Sequence, residues 1–154
     1  MKVASTNGVK VEMYDLGGSG PNMLLSHANG FHGLCWKPVA EHLIKHFHCH
    51  SFDHRGHGDT PAPKDWTVAW AGYAADASAA AKSIAEPKGI IGVGHSMGGA
   101  TLLMAAIKDP TLFRGLLLYE PIVKPDDVRM PANRPNALAE GAARRKRTFK
   151  SYEE

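Results

Sequence analysis

A mostly parallel α/β sheet with helices on both faces is the fold this sequence predicts, and three observations carry the prediction. Apolar β-type runs and helical patterns alternate along the chain from Gly8 to Glu120, the arrangement that builds parallel sheets. Runs such as "NMLLSH" and "GIIGVGH" are apolar without alternation, as strands buried on both faces must be. In "GIIGVGHSMGGATLLMAA" a serine hemmed in by glycines stands where a strand gives way to a helix.

The elements follow in order. "GVKVEMYDL" alternates apolar and polar residues as a half-buried strand does, and "LGGSGP" breaks it. "NMLLSH" is the next strand. After the loop "ANGFHG", the segment from Trp36 to Phe47 carries Val39, Leu43, Ile44 and Phe47 at helical spacing. "HCHSFD" reads as a strand and "HRGHGDTPAPKDW" as a long loop. Val68 to Ala85 is an alanine-rich helix closed by Pro87. "GIIGVGH" is a strand, Met97 to Lys108 a helix with Met97, Leu103 and Met104 expected in the core, and "GLLLYE" a strand stopped by Pro121. Residues 1–124 are therefore expected to form the core, and 125–154, rich first in proline and then in alanine and charge, to run as a loop into the start of a new helix.

Composition excludes several classes. With 154 residues, 44% hydrophobic and 21% charged, the chain suits one ordered globular domain rather than two or a disordered segment. A net charge of +3 is too mild to imply nucleic acid or a membrane surface. The basic run Arg144 to Arg147 is flanked by Glu140, Glu153 and Glu154 and reads as an exposed charged helix, so no nucleic-acid partner is expected. "MKVASTNGVKVEMYDLGG" lacks the apolar core of a signal peptide, and no apolar run is long enough to span a membrane. Cys35 and Cys49 form no metal-type spacing, which favours reduced thiols and a cytoplasmic location. His46, His48 and His50 alternate on one strand and could share a face. The expectation there is a core His50 with solvated neighbours, and no metal or other cofactor.

Gly94-His95-Ser96-Met97-Gly98 fits G-x-S-x-G in the strand-to-helix setting that gives the pattern its chemical meaning. A sharp turn presents Ser96 Oγ above the carboxyl ends of the strands, where open α/β sheets bind ligands. Glycine at 94 and 98 removes side chains that would strike neighbouring backbone. The start of the following helix offers unpaired N–H groups to a developing oxyanion.

Three segments together resemble the α/β-hydrolase fold family, in its small single-domain form with a lid after the sixth strand. "GHSMGG" resembles the nucleophile elbow, "LLSHANGFHG" the third strand and oxyanion loop, and "FDHRGHGDT" the fourth strand and its D-x-R-G-H-G-x-S/T loop. The resemblance runs from about Gly8 to Pro121, and it implies that residues 125–154 begin a lid or cap. It implies that Ser96 is the nucleophile and that the N–H of Met97 is one oxyanion donor. Asn29 is the other donor, or Gly30, since the family's His-Gly is His27-Ala28 in this chain. Phe31 and Gly30 would line the substrate pocket with Glu120, which ends the sixth strand where a minority of the family place the catalytic acid. Asp53, Arg55 and His57 fall in a loop that mostly holds the fold together.

A serine needs a histidine to take its proton and a carboxylate to orient that histidine, in the chain order serine, acid, histidine in this fold. Asp126 and Asp127 lie downstream, but all nine histidines lie at or before His95. Folds of this kind use roughly 200–250 residues, and the last strand read here, "GLLLYE", corresponds to the sixth of the family's usual eight. The expectation is therefore the N-terminal portion of a serine-dependent, esterase-like hydrolase acting on a small molecule through an acyl-enzyme, truncated before the last strands. It would be inactive alone and completed by a complementary C-terminal segment. Carbon–carbon bond hydrolysis and perhydrolysis suit the same residues, and a non-catalytic binding module is the reading from another class.

Overall fold

A computed structural model of the chain describes residues 1–123 together with Gly141 and Arg144. Six strands make one sheet: β1 (Lys2–Ala4), β2 (Lys10–Gly17), β3 (Asn22–Ser26), β4 (His48–Phe52), β5 (Ile90–His95) and β6 (Phe113–Tyr119). Their order is β1-β2-β4-β3-β5-β6. Strands β3 to β6 run parallel, and β2 is antiparallel to both β1 and β4. Within residues 1–123, three α-helices accompany the sheet: α1 (Lys37–Leu43), α2 (Trp70–Ser83) and α3 (Met97–Lys108).

Side-chain alternation explains both the layers and the unbroken apolar runs. Leu24, Phe52 and Ile90 face α2 and α3, where they pack with Ala77, Ala80, Leu102 and Ala105. Met23, Leu25 and Cys49 point the other way, with Ala40 of α1. Each central strand thus buries both faces, and the mostly parallel sheet with helices on either side is present as expected.

Several boundaries differ from the sequence reading. Strand β1 had no separate signal, because three residues at a sheet edge, mostly exposed, bury too little to impose a pattern. The helix expected over Trp36 to Phe47 is a 3₁₀ turn, Gly33–Trp36, followed by α1, which starts at a proline-marked turn and stops at Leu43. Phe47 still packs on the α1 side, so the spacing marked the packing face and overstated the helix. Helix α2 is shorter at both ends than expected, and β6 begins two residues before Gly115 and leaves Glu120 outside. Met104 stands exposed on α3 rather than in the core.

On the α1 side of the sheet, Leu117 and Tyr119 of β6 are 61% and 60% exposed. They pair with Val93 and His95 of β5 and extend past the area that α1 covers. The expected cap segment, 125–154, lies outside the described residues except for Gly141 and Arg144.

Candidate active site

Ser96 sits between β5 and α3 with φ 53° and ψ −115°, a left-handed backbone that a non-glycine residue adopts only under constraint. The constraint is visible. Ser96 N–H donates to Tyr119 O at 2.9 Å, while Ser96 O accepts from Ile122 N–H at 3.2 Å and from Ala100 N–H at 3.1 Å. The glycines on either side are there for close approach. A Cβ on Gly94 would lie 2.6 Å from Gly99 N. One on Gly98 would lie 2.6 Å from His27 O and nearer still to Ser26 O. The first turn of α3 therefore rests directly on the end of β3 and the start of the loop after it. Met97 opens α3 and is buried, and the first amides of a helix have no intrahelical acceptor. Among the described residues, nothing hydrogen-bonds to Ser96 Oγ.

The loop after β3 is a tight turn: Phe31 N–H donates to Ala28 O at 3.2 Å, and Gly30 holds φ 79°. Its central residues, Asn29 and Gly30, are exposed, so the amides of both remain open as donors and the choice between them stays open. Phe31 is half exposed beside them. The Asn29 side chain meets His57, with Oδ1 3.1 Å from Nε2. Sequence spacing gave no sign of that contact, which joins two loops remote in the chain.

Asp53, Arg55 and His57 form the brace behind this loop. Asp53 is fully buried; its carboxylate accepts from Gly33 N–H at 2.6 Å, Tyr14 O–H at 2.7 Å and Asp59 N–H at 2.8 Å. Burial, followed by the Asp53 hydrogen bond and charge, pushes the Tyr14 hydroxyl pKa up. Arg55 is equally buried and pairs with Asp76 of α2 through Nε–Oδ2 at 2.8 Å and Nη2–Oδ1 at 2.7 Å. Arg55 also lies over the Trp66 ring.

Three histidines cluster beneath the loop after β3, and none hydrogen-bonds to Ser96 among the described residues. His27 Nε2 accepts the His54 N–H at 3.1 Å, so the proton is on Nδ1, which donates to Ala28 O at 2.8 Å. Both nitrogens are occupied. Burial pushes the His27 pKa down to about 4, and burial together with neighbouring cations holds His54 well below its usual value. His54 Nε2 lies 3.0 Å from Ser26 Oγ. Burial lowers His57 as well. His95, next to the serine, tilts against Tyr119 with ring centroids 5.2 Å apart. Glu120 follows β6 with φ 43°, within the segment whose backbone clasps Ser96, so the fold does bring it to the site. His48 and His50 lie elsewhere, at the amino end of β4.

A strained serine at a strand-to-helix turn, at the carboxyl edge of a mostly parallel sheet, defines a class of catalytic scaffold. The sequence model of the alpha/beta hydrolase family matches residues 23–153. The chain belongs to the alpha/beta hydrolase family. It is 28% identical over 111 residues to a pimeloyl-[acyl-carrier protein] methyl ester esterase of Aeromonas salmonicida, covering 71% of this chain and 40% of that one. It is 32% identical over 103 residues to a 2-(acetamidomethylene)succinate hydrolase of Mesorhizobium japonicum, covering 67% and 36%. Among solved structures, an N-formylmaleamic acid deformylase of Pseudomonas putida superposes with a TM-score of 0.76 at 29% identity, over 93% of this chain and 55% of that one. The chain thus spans roughly two fifths of the length of those two relatives.

Proposed function

We propose that this chain carries the nucleophile and oxyanion hole of a serine hydrolase that cleaves ester or similar acyl bonds of a small molecule. The observation that carries the reading is the left-handed Ser96 held between Gly94 and Gly98. Ser96 Oγ attacks the acyl carbon, its proton passing to a base, and the carbonyl oxygen becomes an oxyanion facing Met97 N–H and an amide of Asn29 or Gly30. Collapse expels the alcohol or amine, which takes the proton. Water then attacks the acyl-serine, and the acid and free enzyme are regenerated. Phe31, Gly30 and Glu120 line the approach. Relatives named as an esterase, a hydrolase and a deformylase support a hydrolytic reaction on an acyl group.

The base and its acid are the open part of the machinery. No histidine follows Ser96 in the sequence, and His27 has no free nitrogen. We infer that a complementary C-terminal segment supplies both, docking beside β6 where Leu117 and Tyr119 stand uncovered. Free Cys35 and Cys49 suit a reducing, cytoplasmic setting, and no described helix is long and apolar enough to cross a membrane. The test is labelling with a fluorophosphonate probe in a version extended by such a segment. Ser96 is the expected labelled residue, and Ser96→Ala should abolish the signal. Labelling that survives the substitution would refute the assignment.

A further inference from the structure

The histidine-rich stretch that the active site does not use gathers at the opposite end of the sheet. His48 and His50 stand on one face of β4, with Asp15 directly across from His50 on β2 and Asn22 across from His48 on β3. One ring nitrogen of each histidine and a carboxylate oxygen of Asp15 lie within 4.8 Å of one another. His48 Nε2 is 2.8 Å from Asp15 Oδ1, and the two imidazole rings are 4.2 Å apart. Asn22 Nδ2 donates to Ile84 O at 2.9 Å, which turns Asn22 Oδ1 toward His50 Nε2, 3.3 Å away. We propose that Asp15, His48 and His50 bind one divalent transition cation of the zinc type, with Asn22 Oδ1 steering His50.

Geometry and chemistry favour this over a plain histidine–aspartate pair. Tetrahedral zinc with ligand bonds of about 2.0–2.2 Å sets its donor atoms roughly 3.3–3.5 Å apart, so the cluster needs only side-chain rotation to close on an ion. The ligands come from adjacent, hydrogen-bonded strands, so their backbones are already fixed. Two imidazoles and one carboxylate select zinc, copper, nickel or cobalt over calcium and magnesium, which take oxygen. Gly17 N–H donates to Asp15 Oδ1 at 2.9 Å and would orient the carboxylate from behind, as ligand-supporting groups do. Asp15 is largely exposed and His48 partly so, which opens a path for the ion. The sequence reading saw that alternation puts His46, His48 and His50 on one face, and expected no metal because the family resemblance already accounted for much of that segment. It could not show Asp15 arriving from β2 in place of exposed His46. Bound there, the ion would tie β2 to β4, the junction between the antiparallel and parallel parts of the sheet.

The experiment is equilibrium dialysis of the tag-free chain against Zn²⁺, with Co²⁺ absorption as the readout of site geometry. One ion per chain is expected. Asp15→Asn and His48→Ala should each weaken binding by at least about tenfold, since even groups that merely support a ligand are worth that much. Both residues are at the surface, and circular dichroism would verify that the variants fold. His42→Ala/His46→Ala, which removes two exposed neighbours, should leave affinity and the Co²⁺ spectrum unchanged. Equal affinity in Asp15→Asn and wild type, or a loss shared by the His42/His46 variant, would overturn the site in favour of scattered surface histidines.

Discussion

Gly98→Ala should destabilise the fold despite improving helix propensity. At an unhindered helix position alanine is favoured over glycine by about 1 kcal/mol. At Gly98 the added Cβ would lie 2.6 Å from His27 O and closer to Ser26 O, against a normal van der Waals separation of about 3.4 Å. Both obstacles are backbone carbonyls on β3 and its exit, so no rotamer change relieves them. Either the start of α3 or the end of β3 must move by about an ångström, the nearer Ser26 O setting the distance. Overpacking of this kind costs about 1–3 kcal/mol, and contact with fixed backbone places Gly98 near the upper figure. Set against the propensity gain, the net loss is about 2 kcal/mol, a fall of roughly 4–8 °C in Tm for a domain of this size. Urea and thermal unfolding of the chain would measure it. Gly115→Ala is the control, since a Cβ there meets nothing within 4 Å, and it should be neutral or mildly stabilising. If Gly98→Ala melts at or above the wild-type temperature, α3 does not rest on β3 as closely as described, and the cause assigned to the Ser96 strain fails with it.

Three further outcomes follow from the same contacts. His27 is neutral when folded, with a pKa of about 4 against about 6.5 unfolded. As pH falls through 6.5 the unfolded chain takes up the proton first, so stability should drop between pH 6.5 and 4 and then level off. The loss from His27 is about 3 kcal/mol, and His27→Gln should flatten that part of a urea-midpoint profile; an unchanged slope would count against the neutral assignment. Asp76→Ala strands the Arg55 guanidinium in the interior and should cost about 3–5 kcal/mol, seen as loss of soluble protein or a collapsed Tm, whereas a mild effect would mean that water reaches Arg55. Finally, residues 1–154 alone should hydrolyse p-nitrophenyl acetate feebly, since hydrolases stripped of triad members keep only about 10³–10⁴-fold over water. A monodisperse monomer with Ser96-dependent turnover of several per second would show that an upstream histidine serves as base after all.

What the sequence disclosed and what it hid divide along physical lines. Strands β3 and β5 were legible because burial on both faces leaves an unbroken apolar run with no other ready explanation. The elbow was legible because glycine at 94 and 98 answers a steric need that few other contexts impose, and both positions do abut backbone. Helix α1 was overdrawn because Phe47 continues the apolar spacing after the helix has stopped. Strand β1 was hidden because an exposed edge of three residues carries no periodic signal. The bonds of His27 to Ala28 and His54, and of Asn29 to His57, were invisible for a different reason. Each depends on where a loop turns, and loop geometry is set by tertiary contacts such as Asp53 with Gly33 rather than by local residue order.

The clasp around Ser96 links the strand-to-helix turn to the exposed end of β6. Its amide is held by Tyr119 O and its carbonyl by Ile122 N–H, so the segment leaving β6 fixes the backbone that aims Oγ. That segment contains Glu120, which also holds a left-handed backbone at φ 43°. Yet Tyr119, Ile122 and Val123 are 60%, 42% and 52% exposed, with little apolar packing to keep them in place. A body covering this region would therefore do more than hide apolar surface or deliver a histidine. It would restrict the segment whose hydrogen bonds set the serine's backbone geometry. Under the proposed function, covering the end of β6 and fixing the Ser96 turn would be one physical event, because the same few backbone hydrogen bonds serve both.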